Sequence, residues 1–265
     1  MTVLVASDLD RTLIYSRAAA RTAPADLTVV EHHEGAELSY MTAAAAQTFA
    51  RLHRAAVVVP VTTRVPGQFA RVSLPGPPPR YAVTANGAFL HVGDDIDDGW
   101  SAAVTARLRQ VASFAEIWDH VAALCRPEWT IKLRNARGLF CYAVVHRRQL
   151  PDDFLADAAA WAAGRGWRVS MQGRKVYWVP VPLTKSAAVA EIAARTGADT
   201  VLAAGDSLLD LDLVRDAHRA VVPAHGELVA SGWSAPHVEV TTHCGARAGE
   251  EIVDWFTAHA VHRSG

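Results

Sequence analysis

Two carboxylates and a hydroxyl, Asp8, Asp10 and Thr12, follow an apolar run, Val3-Leu4-Val5-Ala6-Ser7, at alternate positions. Such a run predicts a buried parallel strand, and ligands of open α/β sheets sit beyond the carboxyl ends of the strands. Acids placed there are costly unless a cation neutralises them. The natural occupant is a hard divalent ion, which in turn draws in a phosphate. Three further segments carry matching chemistry. Thr62 ends the run Val57-Val58-Val59-Pro60-Val61, where a hydroxyl and free backbone N–H groups can hold a phosphate oxygen. Lys185 follows Thr184 at a helix start, where dipole and ammonium both favour an anion. Gly205-Asp206-Ser207-Leu208-Leu209-Asp210 sets two more carboxylates at a strand end and in the next helix's first turn. Singly, each is an ordinary turn or cap; their joint occurrence in this order points to one anion site.

The elements that must position these groups alternate along the chain. Strand patterns cover Val57–Thr62, Tyr81–Asn86, Thr200–Gly205, Ala220–Pro223 and Val238–Thr241. Helical patterns cover Thr42 to about Arg54, Thr184 to Gly197, Leu208–His218 and Gly249–His259. This order predicts an α/β fold with a doubly wound parallel sheet. Two segments interrupt it. Residues 27–40 alternate polar and apolar about Glu34-Gly35, predicting a β-hairpin just after the first strand. Residues 89–180 read as a helix near Trp100–Leu124, strands Trp129–Leu133 and Phe140–His146, a helix Asp152–Ala163, and strands Trp167–Met171 and Val176–Val181. They predict a second α/β domain inserted into the first, which then comprises residues 1–88 and 181–265. Gly93–Gly99 and Leu74–Arg80 read as loops.

Composition narrows the function. With 265 residues, 51% hydrophobic and 20% charged, the chain is an ordinary globular protein of one or two domains. A net charge of −1 and the lack of a basic aromatic cluster argue against nucleic acid and anionic membranes as partners. No apolar run approaches the roughly 20 residues of a membrane span. Three dispersed cysteines, with no C-x-x-C pair, and an N-terminus that enters a strand at once predict a cytoplasmic protein. The twelve histidines are scattered without ligand spacing. Only three lysines, Lys132, Lys175 and Lys185, stand against 23 arginines, so each raises the question of why a point charge was kept there. No heptad or edge pattern marks an oligomer interface.

In type and order the four segments resemble the motifs of the haloacid dehalogenase superfamily of phosphohydrolases. Asn86-Gly87, followed by a large α/β insertion, is similar to the Cof-like branch, which includes sucrose-phosphate and other sugar-phosphate phosphatases. The Thr62-Thr63-Arg64 and Gln68-Phe69 region also resembles members found beside tellurium-resistance genes. The resemblance implies a Rossmann-like catalytic core, a cap formed by residues 89–180 and an enlarged flap within residues 13–40. It implies Asp8 as nucleophile, forming an aspartyl-phosphate, and Asp10 as acid toward the leaving alcohol, then base for water. Mg²⁺ would be held by the Asp8 carboxylate, the Asp10 carbonyl and Asp206, with Asp210 completing the shell directly or through water. Thr62, Thr63 and Lys185 would bind the phosphoryl oxygens.

Two positions depart from the pattern. Arg11 stands where Gly is common, and Thr63 has less backbone freedom than the Gly of Thr-Gly-Arg. The substrate implied is a small phosphorylated metabolite, a sugar phosphate or phosphorylated glycoside. Arg64 and Asn86 lie close to the expected cleft. Lys132, Arg134, Arg137, Arg174 and Lys175 are candidate readers from the insertion, with Trp129, Tyr142, Tyr177 and Trp178 as stacking surfaces. A phosphomutase or phosphotransferase, or a phosphate-binding module without turnover, would share these motifs.

Overall fold

The computed structural model describes residues 2–261. They divide into two compact units, residues 2–97 with 185–261, and residues 98–184. The first unit opens with β1 (Val3–Ser7), every residue of which is buried, followed by the short helix α1 (Arg17–Ala20). A hairpin of β2 (Leu27–His33) and β3 (Ala36–Thr42) turns through Glu34 and Gly35, both at positive φ. Next come α2 (Ala43–Leu52), β4 (Val57–Pro60), α3 (Pro66–Phe69), β5 (Tyr81–Thr84), β6 (Phe89–Val92) and β7 (Asp95–Ile96). Thr42 caps α2 by accepting from Ala45 N–H, as Thr at this position should.

The second unit contains α4 (Asp98–Leu108), α5 (Phe114–Leu124), β8 (Thr130–Ala136), β9 (Phe140–Val145), α6 (Phe154–Ala163), β10 (Trp167–Gln172) and β11 (Lys175–Pro180). Its strands form one antiparallel sheet in the order β10-β11-β9-β8. The chain then returns to the first unit through α7 (Lys185–Thr196), β12 (Thr200–Ala204), α8 (Leu211–Asp216), β13 (Arg219–Val222), α9 (Glu227–Ala230), β14 (Val238–Val240) and α10 (Ala246–Val261).

The central sheet is wholly parallel, in the order β14-β13-β12-β1-β4, so β1 lies inside it and its C-terminal end faces the crevice between neighbouring strands. Val3, Val5, Val58, Leu202 and Val221 pack with Phe49, Ile252 and Phe256 into one core.

Four expectations need correction. The Tyr81 strand meets the central sheet through one parallel bridge, Val61 to Val83, and pairs mainly with β6 and β7. That pairing keeps residues 89–97 with the first unit, so the second begins at Asp98 rather than 89. At its other end the second unit runs on to Thr184, four residues past the expected 180, since Val181 N–H donates to the Gly166 carbonyl and the Leu183 carbonyl accepts from Arg168. The expected helix Trp100–Leu124 is two helices, because Ser113 caps α5 by accepting from Glu116 N–H. The Gly93–Gly99 loop contains β7.

Candidate active site

Leaving β1, the chain folds back on itself at once. The carbonyl of Leu9 accepts from the N–H groups of Thr12, Leu13 and Ile14, and Arg11 takes a left-handed φ of 65°. Thr12, wholly buried, donates its hydroxyl to Asp8 Oδ2 at 3.3 Å. Tyr15 then exchanges two backbone hydrogen bonds with Tyr40, tying the turn to the hairpin. Gly249 of α10 permits this: a Cβ there would lie 2.9 Å from the Tyr15 ring and 3.0 Å from the Thr12 carbonyl.

Asp8 sits at the strand end, its N–H bonded to the Ala204 carbonyl of the neighbouring strand. Across that boundary Lys185, the first residue of α7, points a fully buried ammonium at two acids. Its Nζ lies 2.6 Å from Asp8 Oδ1 and 2.5 Å from Asp210 Oδ1. The second oxygen of Asp210 accepts from Asp206 N–H, Ser207 N–H and the Ser207 hydroxyl. A carboxylate offers about four lone-pair sites, so Asp210 is fully engaged as the pillar that holds Lys185 and the 206–207 loop. Gly205 makes room for it, since a Cβ there would fall 2.4 Å from Asp210 Cβ.

Carboxylate oxygens of Asp8, Asp206 and Asp210 lie within 4.8 Å of one another, all buried. Burial pushes the Asp8 carboxyl up to about 7, with Asp210 and Asp10 raising it and Lys185 lowering it. Burial and the charges of Asp8 and Asp210 raise Asp206 well above the usual carboxylate range. This surplus of desolvated negative charge suits a hard divalent cation with oxygen ligands, and the donor set fits Mg²⁺. Asp8 and Asp206 are the two members with capacity to spare. Arg11 Nε donates to Asp206 Oδ2 at 3.0 Å, so the residue at the departing position is a counter-charge to one of the acids.

Thr62, wholly buried, ends the neighbouring strand and accepts from Arg64 N–H at 3.1 Å. Its loop is bonded from below by Ala85 N–H to the Arg64 carbonyl and by Asn86 N–H to the Thr62 carbonyl. Ala85 and Asn86 both adopt positive φ to make those bonds. Thr63, next in the loop, is partly exposed, whereas Asn86 is wholly buried. Asp10 is the most open of the acids. Arg64 grips it twice, Nε to Oδ2 and Nη2 to Oδ1, both at 2.8 Å. That commits most of the Arg64 guanidinium to the protein itself. In the second unit Lys132 and Arg134 are exposed on the edge strand β8, Arg174 and Lys175 are exposed at the β10–β11 turn, and Arg137 is exposed in the β8–β9 turn. Tyr142 is partly exposed; Trp129, Tyr177 and Trp178 are buried.

The structure therefore gathers Asp8, Asp10, Thr62, Arg64, Lys185, Asp206 and Asp210 in the first unit. It adds three residues for which sequence reasoning gave no role: Ser207, Glu31 and Ser39. Glu31 Oε1 lies 2.8 Å from Arg64 Nη1 and accepts the Ser39 hydroxyl on its other oxygen. An acid two residues after Val29, in a strand expected to alternate, was the available signal.

No family model matches the chain, and no curated protein matches it. Solved structures do. The sucrose-phosphatase from Synechocystis, solved with sucrose and phosphate, matches at a TM-score of 0.65 and 16% identity over 97% of this chain and 98% of that one. A subclass IIB sugar phosphatase of the haloacid dehalogenase superfamily matches at 0.60 and 10% identity over 98% of both chains. A trehalose-6-phosphate phosphatase related protein matches at 0.56 and 14% identity, over 98% and 99%. At these identities the likeness establishes the fold alone: a parallel α/β core with an α/β unit inserted in it, shared with these proteins.

Proposed function

We propose that the chain is a phosphomonoesterase that takes the phosphoryl group of a small phosphorylated metabolite onto Asp8 and releases it to water. The observation that carries this reading is the buried lysine held between two of three clustered carboxylates, Asp8 and Asp206 just past strand ends of the parallel sheet and Asp210 in the turn that opens α8. In the first step Asp8 Oδ attacks phosphorus, the bond from phosphorus to the ester oxygen breaks, and Asp10 gives that oxygen a proton. In the second, Asp10 takes a proton from water as water attacks the same phosphorus and the Asp8–phosphorus bond breaks. Lys185 offsets the repulsion between the phosphoryl oxygens and Asp8, while Thr62 and Thr63 supply loop donors for those oxygens. Asp8 and Asp206, with the Asp10 carbonyl, would hold Mg²⁺, which when bound neutralises the charge of the transferring group. Asp210 acts by fixing Lys185.

A sugar phosphate is the favoured substrate class, because fold neighbours include phosphatases described as acting on sugar phosphates. Mg²⁺ is the candidate cofactor. The test is a phosphate-release screen with Mg²⁺ over sugar phosphates, nucleotides, phospho-acids and p-nitrophenyl phosphate. Turnover that vanishes in Asp8→Asn is expected. Turnover that survives the substitution, or silence across the panel, refutes the reading.

A further inference from the structure

We infer that Glu31 is a positioning residue for the reaction proposed above, acting through Arg64 on Asp10; the inference rests on that reading. Asp10 is the acid most open to solvent, its side chain 42% exposed, whereas the Glu31 side chain is 2% exposed. A buried carboxylate is costly unless paired and hydrogen-bonded. Here three groups converge on it. Arg64 Nη1 lies 2.8 Å and Arg71 Nε 3.4 Å from Oε1, and the Ser39 hydroxyl donates to Oε2 at 2.5 Å. The β2–β3 register is irregular on both sides of Glu31, which aims the side chain at Arg64 rather than along the alternation of the strand.

The consequence lies on the far edge of the same guanidinium. Arg64 presents Nε and Nη2 to both oxygens of Asp10 at 2.8 Å, a parallel two-bond grip that fixes the plane of the carboxylate. A planar fork held on one edge by a buried acid cannot swing with solvent, so Asp10 is held where the proton must pass. The hairpin thus reaches the acid–base group through one arginine. In the hydrolytic step, Asp10 must take the proton of the attacking water as the Asp8–phosphorus bond breaks. A loose Asp10 slows that step.

p-Nitrophenyl phosphate separates this role from a merely structural one, because nitrophenolate leaves without a proton and only the second step then needs Asp10. Rapid mixing of wild type, Glu31→Gln and Ser39→Ala with that substrate and Mg²⁺ reads both steps as nitrophenolate. The first turnover should stay within about threefold of wild type with kcat/KM unchanged, KM falling in step with kcat. Steady-state kcat should fall about ten- to a hundredfold in Glu31→Gln, the scale of an ångström-sized misplacement, and less in Ser39→Ala, so that a burst appears as phosphoenzyme accumulates. A parallel fall of both phases, or no change in either, overturns the inference. Should Glu31→Gln fail to melt cooperatively, Ser39→Ala decides by the same two outcomes. A wild type silent toward every phosphate ester refutes the phosphatase reading itself, before either variant is made.

Discussion

Lys185 and Asp210 are both wholly shielded from solvent, and Nζ of the first lies 2.5 Å from Oδ1 of the second. Burial alone would strip the proton from such a lysine; Asp210 and Asp8 together hold it on and raise its pKa. Replacing Lys185 by Met removes the ammonium that contacts both acids. Breaking a buried pair from one side costs about 3–5 kcal/mol. Lys185→Met is therefore expected to melt well below wild type and to release no phosphate. A variant that keeps both its melting temperature and its turnover would contradict the pairing.

Gly205 supplies the space that Asp210 occupies. A methyl group there would overlap Asp210 Cβ at 2.4 Å and Cγ at 2.6 Å, and neither atom is the end of a long flexible chain. Gly205→Ala should displace Asp210 and with it Lys185 and the 206–207 loop. The expected result is a fall in kcat of about 10²-fold or more, with far-UV circular dichroism preserved. Undiminished kcat would show that Asp210 can move without consequence.

Much of this was legible in the chain because it is local. Asp8, Asp206 and Lys185 each close a strand or open a helix, so apolar runs and caps place them without knowledge of distant contacts. Glu34-Gly35 likewise marked the hairpin. What stayed hidden depends on contacts that no local pattern records. Arg64 looked like a substrate reader, since nothing near it in sequence reveals Asp10, 54 residues away. Glu31 drew no role from the sequence, since nothing near it in the chain reveals Arg64. The break between α4 and α5 was missed because Ser113, a good cap, sits inside an otherwise continuous helical pattern.

The Asp8 carboxyl, raised to about 7 chiefly by burial, links metal binding to pH. Its folded value lies above the ordinary one, so the metal-free folded chain keeps a proton that the unfolded chain releases. The stability this proton contributes is lost as pH rises through 7. Mg²⁺ needs the ionised form, so its apparent affinity should weaken by up to about tenfold per unit below pH 7. The gain in Tm on replacing EDTA with Mg²⁺ should accordingly be larger at pH 8 than at pH 6. A gain independent of pH would show that no such proton is displaced.

Arg11 sets a guanidinium on Asp206 from a left-handed backbone position that costs an L-residue about 1–2 kcal/mol. Its charge competes with any cation that Asp206 would hold. Arg11→Gly should relax the backbone and tighten Mg²⁺ binding by roughly tenfold, about 1.4 kcal/mol, as measured by isothermal titration. Weaker binding would mean instead that Arg11 orients Asp206 for the ion.

His225 makes the opposite contribution to the acid side of the stability profile. Its Nδ1 accepts from Gly245 N–H at 3.2 Å, so the ring proton sits on Nε2, 3.0 Å from the Arg11 carbonyl. The neutral ring satisfies both contacts, whereas a protonated ring would set two donors face to face at Gly245. Burial, aided by the Arg11 charge, pushes its pKa down to about 4 from 6.5. Between these values the unfolded chain takes a proton that the folded chain refuses, so stability drops as pH falls from 6.5 toward 4. His225→Gln lacks that titration, and groups common to both chains cancel in the comparison. The loss of urea-unfolding free energy between pH 7 and pH 5 should be smaller in the variant than in wild type. Equal losses would show that His225 is protonated as readily in the folded chain as in the unfolded one.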